Sequence, residues 1–139
     1  MPPFYIRRVL VADADATIHM MTDLGLREVG RFTVFPVKAA ADLVKEATRN
    51  RVDVVLLGEG LELATAAIIE QVKAALPAVP VVLMVTSEEP MASLRERCRA
   101  MGAAGVLKKP LSPVDLADDL RKLVGAEAGA PPDVLFRGK

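Results

Sequence analysis

Five short runs of aliphatic and β-branched residues recur along the chain, and a segment of helical periodicity follows each of them. The runs span 8–12, 32–35, 52–57, 81–85 and 104–107. The first, third and fourth are almost continuously apolar, which is typical of strands covered on both faces in a parallel sheet. Because strand and helix alternate five times, we predict an α/β fold: a doubly wound, five-stranded parallel sheet with helices on both faces.

The helical segments carry apolar residues three or four positions apart, as expected of helices that pack on a core. These residues are Ile18, Met21 and Gly25; Leu43 and Ala47; Ala64, Ile68 and Val72; and Leu116, Leu120 and Leu123. The last helix is predicted to begin at an N-cap on Ser112, with Pro113 in its first helical position. Gly102 and Gly125 each follow a helical run and suit a left-handed helix stop.

The chain has 139 residues, which predicts one domain over 1–125 followed by a tail or linker stub over 126–139. Pro131 and Pro132 prevent a helix from continuing through this tail. Its apolar cluster at 134–136 could dock on the domain or on a partner.

Charge and composition exclude several classes of function. The 18 basic and 18 acidic residues balance, so there is no net field to attract nucleic acid or an anionic membrane. No apolar run approaches the roughly 20 residues of a membrane span, and no signal peptide is evident, so we expect a cytoplasmic protein. The single cysteine, Cys98, excludes an internal disulfide and is expected to be packed. No cofactor is predicted.

Polar residues follow the predicted strands where ligands gather in an open doubly wound sheet, at the carboxyl ends. The residues just past the strand ends are Asp13, Ala14 and Asp15 after the first strand, Gly58 and Glu59 after the third, Thr86 after the fourth, and Lys109 after the fifth. Acidic groups, a hydroxyl and an ammonium group are therefore expected at one edge.

The segments 9–18, 52–58, 80–87 and 102–110 resemble, in order and spacing, the CheY-like receiver domain of response regulators. The resemblance covers about residues 7–125 and implies a flavodoxin-like (βα)5 sheet of strand order 2-1-3-4-5. In that family an aspartate at the end of the third strand accepts a phosphoryl group from a histidine kinase. An acidic pair helps to hold Mg²⁺, while a hydroxyl and a lysine contact the phosphoryl oxygens.

The match to this family is partial. Asp13, Thr86 and Lys109 fit the pattern, but the second acid falls on Ala14 and the phosphoacceptor falls on Gly58. The aromatic residue that usually precedes the lysine by three positions is Val106. The resemblance therefore implies a degenerate pseudo-receiver without a nucleophile or a reporter aromatic, and with at best a weak metal ligand in Asp13.

The remaining pocket residues are expected to be structural. Asp13 is expected to pair with Lys109, contributing at most about 1 kcal/mol if the pair is partly exposed. Thr86 is expected to hydrogen-bond backbone. Glu59 is one residue past the acceptor position, so strand alternation is expected to point its side chain elsewhere; the alternative is that it lies near the pocket as a fixed charge. His19 is expected at the boundary of the core.

Three parts of the chain are candidates for partner binding. Arg95 and Arg99 share a helix face, and with Val106 and Lys108 they predict an interaction surface for an acidic protein partner, where the resemblance places the partner-binding face of receivers. The alternatives are the apolar first helix, which includes Met20, and the apolar cluster at 134–136 in the tail.

These patterns favour a receiver domain that acts without phosphorylation and is not an enzyme. We predict that it serves as a protein-interaction module in bacterial two-component-type signal transduction. One alternative is a receiver phosphorylated through Asp13 or Glu59, or switched by another ligand. A remote alternative is a flavodoxin-like nucleotide or flavin binder, although no glycine-rich phosphate loop follows the first strand. The sequence does not determine the partner, the pathway or the oligomeric state.

Overall fold

The computed structural model describes residues 3–61 and 64–129. Five parallel strands form one sheet of order β2-β1-β3-β4-β5, which confirms the predicted fold class and strand order. The strands are β1 (Arg8–Ala12), β2 (Thr33–Val37), β3 (Val54–Gly58), β4 (Val81–Val85) and β5 (Gly105–Lys108).

The described helices lie in the connections between strands and after the last strand. They are α1 (Ala16–Thr22), α2 (Leu43–Arg49), α3 (Thr65–Ala75), α4 (Met91–Ala100) and α5 (Leu116–Val124). A π-helical segment, Asp23–Val29, extends α1, and a 3₁₀ turn, Ala40–Asp42, leads into α2.

Two apolar cores cover the two faces of the sheet, as the long apolar strand runs predicted. Side chains of α2, α3 and α4, such as Leu43, Ile68 and Leu94, pack on one face. Side chains of α1 and α5, such as Ile18 and Leu116, pack on the other. Successive residues of a strand point to opposite faces, so β1, β3 and β4 contribute alternate residues to both cores. Their burial leaves only the strand ends available for chemistry.

Several boundaries differ from the predicted ones. β2 runs through Pro36 to Val37, which is possible because β2 is an edge strand, where the missing N–H of proline is tolerated. The strand β3 begins two residues later than predicted and ends on Gly58 itself. The helix α5 begins at Leu116, because residues 112–115 form a turn in which the Ser112 hydroxyl donates to Asp115 Oδ2 at 3.0 Å.

The ends of two helices agree with the prediction. Gly102 and Gly125 have φ angles of 97° and 72°, in the left-handed region that favours glycine. Beyond α5, the backbone N–H of Glu127 donates to the Phe4 carbonyl at 2.6 Å, so the chain is still attached to the domain at that point. The apolar cluster at 134–136 lies outside the described residues. In the described part of the chain, no helix has the length and apolar character to cross a bilayer.

Candidate functional site at the carboxyl edge of the sheet

Three of the predicted pocket residues meet at the carboxyl edge of the sheet. Asp13 directly follows β1, Gly58 is the last residue of the neighbouring β3, and Lys109 directly follows β5. Backbone hydrogen bonds extend the sheet by one residue at two of these ends: Asp13 N–H donates to Val37 O at 3.1 Å, and Lys109 N–H donates to Val85 O at 2.8 Å. The sheet itself therefore positions Asp13 and Lys109.

The Asp13 carboxylate is buried and is held from two sides, by a hydrogen bond to Oδ1 and by an ion pair, rather than a hydrogen bond, to Oδ2. Its residue is 1% exposed. Oδ1 accepts the backbone N–H of Asp15 at 2.8 Å, and Oδ2 lies 3.0 Å from Lys109 Nζ. The expected pairing of Asp13 with Lys109 is present, but it is less exposed than we expected, because the Lys109 side chain is only 17% accessible. In addition, His19 Nε2 lies 2.7 Å from the Asp13 carbonyl, to which it donates.

Gly58 lies against the Asp13 carboxylate. A Cβ atom built on Gly58 would lie 1.8 Å from Asp13 Oδ2 and 2.5 Å from Asp13 Cγ, far inside van der Waals contact. The position that the resemblance assigns to the phosphoacceptor therefore lacks a side-chain oxygen and also lacks the space for a side chain.

The other predicted pocket residues are exposed. Asp15 Oδ1 accepts the backbone N–H of Thr17 at 2.8 Å and caps the N-terminus of α1, so this acid has a structural role. Ala14, Glu59 and Thr86 are exposed. The expected hydrogen bond from the Thr86 hydroxyl to backbone is not found among the described residues.

The arrangement does not suit Mg²⁺, the ion that the fold family implies. Mg²⁺ requires several oxygen ligands in near-octahedral geometry. Ala14 and Gly58 supply no side-chain oxygen, and the Asp13 carboxylate is already paired with Lys109 and with the Asp15 N–H. Within 3–61 and 64–129, no group of three or more acidic, histidine or cysteine side chains could hold a metal ion.

Hydrogen bonds of Glu89 hold the loop between β4 and α4. Its carboxylate accepts two hydrogen bonds from Arg97, at 3.0 and 3.2 Å, and this hydrogen bonding, with the charge of Glu89, raises the pKa of Arg97. Its backbone N–H donates to Ser87 Oγ at 3.0 Å, and its carbonyl accepts from Lys108 Nζ at 2.7 Å. Lys108, expected in the basic interaction surface, is thus directed toward this loop.

A basic groove lies between α4, β5 and α5. Arg95 and Arg99 line this groove of about 210 Å³, as their shared helix face predicted, together with Lys122 of α5. None of the three cations has an ion pair with any residue that the structure describes. Lys122 was not predicted from the sequence to lie at this surface, although its position among the basic residues that end α5 was an available signal.

Val106 does not belong to the exposed interaction surface in which it was expected. Its residue is 1% exposed, and its side chain packs in the core with Leu94 and Cys98 of α4. The reason is strand alternation: Val106 points from β5 toward α4, so it lies beneath the groove and offers a partner almost no area.

The comparisons with known proteins place the fold among receiver domains. No protein-family model matches the chain, and no curated protein sequence matches it. The chemotaxis response regulator CheY4 of Vibrio cholerae superimposes with a TM-score of 0.73 and 22% identity, over 85% of this chain and 98% of that one. A two-component response regulator from Clostridium difficile gives 0.74 and 16% identity, over 88% and 99%.

A third similar structure has a designation other than response regulator. A provisionally designated pilus assembly-related protein from Burkholderia pseudomallei gives a TM-score of 0.68 and 25% identity, over 91% of this chain and 95% of that one. The chain therefore has the receiver fold along nearly the whole length of each of these neighbours.

Proposed function

We propose that this chain is a divergent receiver domain that acts without phosphorylation, as a non-enzymatic protein-interaction module of two-component-type signalling in the cytoplasm. The observation that carries the proposal is Gly58 at the carboxyl end of β3, with the Asp13 carboxylate in its side-chain space. Phosphoryl transfer needs an oxygen nucleophile in line with the phosphorus and a cation that neutralises developing charge. Position 58 supplies no nucleophile, and Lys109 is already paired with Asp13.

The alternatives receive less support from the site. To be phosphorylated, Asp13 would have to attack the phosphorus with a buried carboxylate. That carboxylate lies 3.0 Å from Lys109 and accepts a hydrogen bond from the Asp15 N–H. Glu59 is exposed, beyond the end of β3. A nucleotide or flavin would need a phosphate-binding loop after β1, and the chain there supplies acidic side chains instead.

The basic groove is the surface that we assign to partner binding. Arg95, Arg99 and Lys122 present three cations without ion-pair partners among the described residues, on walls formed by two helices. Unpaired surface cations steer an acidic partner during encounter. We therefore propose a protein partner that presents acidic side chains to α4 and α5.

The absence of phosphorylation is tested by titration. Beryllofluoride with Mg²⁺ is added to the ¹⁵N-labelled protein, and amide shifts are followed by NMR. We expect no specific shifts around Asp13, Gly58 and Lys109. The matched control is the variant that combines Gly58→Asp and Ala14→Asp, which restores the missing carboxylates. Stoichiometric binding by the unchanged protein would contradict the proposal.

The partner is sought by pull-down with the full chain as bait. The charge-reversed variant Arg95→Glu/Arg99→Glu serves as the matched negative bait, so that a true partner is one that the variant loses. Since one structural neighbour is designated as pilus assembly-related, candidates should not be limited to histidine kinases and phosphotransfer proteins. A protein partner retained equally by both baits would place the contact on another face.

A further inference from the structure

We propose that the Asp13 carboxylate is the permanent occupant of the pocket at the carboxyl edge of the sheet, and that Gly58 is the residue that makes room for it. This inference rests on the proposed function for its meaning in signalling. It adds to that function the identity of the group that fills the pocket. The ligand of Lys109 is then an anion carried by the chain itself.

The two positions exclude each other sterically. A Cβ atom on residue 58 would lie 1.8 Å from Asp13 Oδ2 and 2.5 Å from Asp13 Cγ. No rotation of a side chain at 58 relieves this contact, because the Cβ position is fixed by the backbone. Any residue other than glycine at 58 therefore requires the Asp13 carboxylate to move.

The carboxylate is held where it is. Oδ1 accepts the Asp15 N–H, and Oδ2 is paired with Lys109, whose side chain is itself mostly buried. Displacement of the carboxylate would remove the counter-charge of a largely buried ammonium group, which is unfavourable. Asp13 is thus a fixed part of the pocket.

The backbone of Gly58 does not by itself demand glycine. Gly58 lies in regular strand β3 and is not among the residues with positive φ. At such a position alanine ordinarily stabilises a protein, because glycine loses more conformational freedom on folding. A destabilising Gly58→Ala substitution would therefore report on the volume filled by Asp13, and the sign of the effect is diagnostic.

Melting temperatures of a small set of variants test this inference. We expect Gly58→Ala to lower the Tm by about 5 °C or more. In the Asp13→Ala background, where only the Cβ of residue 13 remains at 3.1 Å, adding Gly58→Ala should lower the Tm by less than about 1 °C, or raise it. In the Asp13→Asn background the loss should persist, since asparagine keeps the volume and removes only the charge.

A second measurement uses inorganic phosphate as the probe, with potassium chloride at equal ionic strength as control. Asp13→Ala frees Lys109 and opens space beside it, so phosphate at millimolar concentration should raise the Tm of this variant. The same addition should leave the Tm of the unchanged protein, and of Asp13→Ala/Lys109→Met, at the potassium chloride value.

Several outcomes would overturn the inference. These are a Gly58→Ala variant as stable as the unchanged protein, an equal loss from Gly58→Ala with and without the Asp13→Ala substitution, or phosphate stabilisation of the unchanged protein equal to that of Asp13→Ala. If Gly58→Ala does not fold, folding of Asp13→Ala/Gly58→Ala supports the inference and its failure to fold refutes it. The beryllofluoride titration is independent of these measurements, so failure of the proposed function is recognised separately.

Discussion

Lys109 Nζ lies 3.0 Å from Asp13 Oδ2, and the two side chains are 17% and 2% exposed. The pair therefore lies at the edge of the core and is poorly screened by solvent, unlike the partly exposed pair that the sequence led us to expect. Removal of one member of a buried pair costs more than a surface ion pair contributes, because the other charge stays buried without a partner.

Lys109→Met should destabilise the domain by roughly 2 kcal/mol, less than the roughly 3–5 kcal/mol of a fully buried pair, because Lys109 keeps some exposure. Methionine keeps most of the apolar stem, so the loss reports on the charge. The measurement is urea unfolding followed by circular dichroism. Lys122→Met is the control, since an exposed substitution should stay within about 0.5 kcal/mol. Equal stability of Lys109→Met and the unchanged protein would refute this prediction.

Gly58→Asp alone should be labelled weakly by acetyl phosphate with Mg²⁺. The new carboxylate must displace that of Asp13 and share the pocket with it, and like charges at close range disfavour joint ionisation. Adding Ala14→Asp supplies a further oxygen ligand for Mg²⁺ and should increase labelling clearly. Intact-mass spectrometry after fixed incubation times measures the phosphorylated fraction. Full phosphorylation of the single variant would show that Ala14 is not limiting.

Arg95→Glu/Arg99→Glu should slow association with an acidic partner and reduce its salt dependence, because charges at the rim of an interface act mainly on the association rate. Stopped-flow or surface-binding kinetics at two salt concentrations would measure both effects. The control, Lys38→Glu/Arg49→Glu, changes the net charge equally on exposed residues outside the groove. Equal slowing by the control would mean that net charge, rather than the groove, governs association.

Met20→Glu should leave partner binding intact. Met20 is 69% exposed on α1, so the substitution is expected to change stability by less than about 0.5 kcal/mol. The same pull-down, with folding checked by circular dichroism, tests this variant. If Met20→Glu abolishes binding while the Arg95→Glu/Arg99→Glu variant still binds, the contact surface is the exposed apolar part of α1 rather than the groove.

Cys98 should react slowly with thiol reagents in the folded protein. Burial raises the pKa of the Cys98 thiol, so the folded state keeps the proton above the usual pKa of about 8.5. The rate of reaction with a chromogenic disulfide at pH 8.5 should be at least tenfold lower in buffer than in urea. Because the folded pKa is the higher one, this group's contribution to stability declines as pH rises above the pKa of the unfolded thiol. Equal rates in buffer and in urea would show an accessible thiolate.

The fold class follows from the order of residues along the chain. Aliphatic runs such as 52–57 and 81–85 carry the signature of strands buried on both faces, and the alternation with helical segments leaves few alternatives to a doubly wound sheet. The resemblance supplied the strand order and the identity of the pocket positions, including the glycine at the acceptor position. These features depend on residue type and spacing along the chain.

The occupant of the space at Gly58 could be recognised only in three dimensions, because the contact with Asp13 joins residues that are distant in sequence and lie at the ends of two paired strands. Packing also decided that Lys122 completes the groove with Arg95 and Arg99, whereas Val106 is buried and Lys108 binds Glu89. Spacing along a chain gives the face of a helix or strand on which a residue lies, but packing between elements determines which side chains meet and which volume each of them fills.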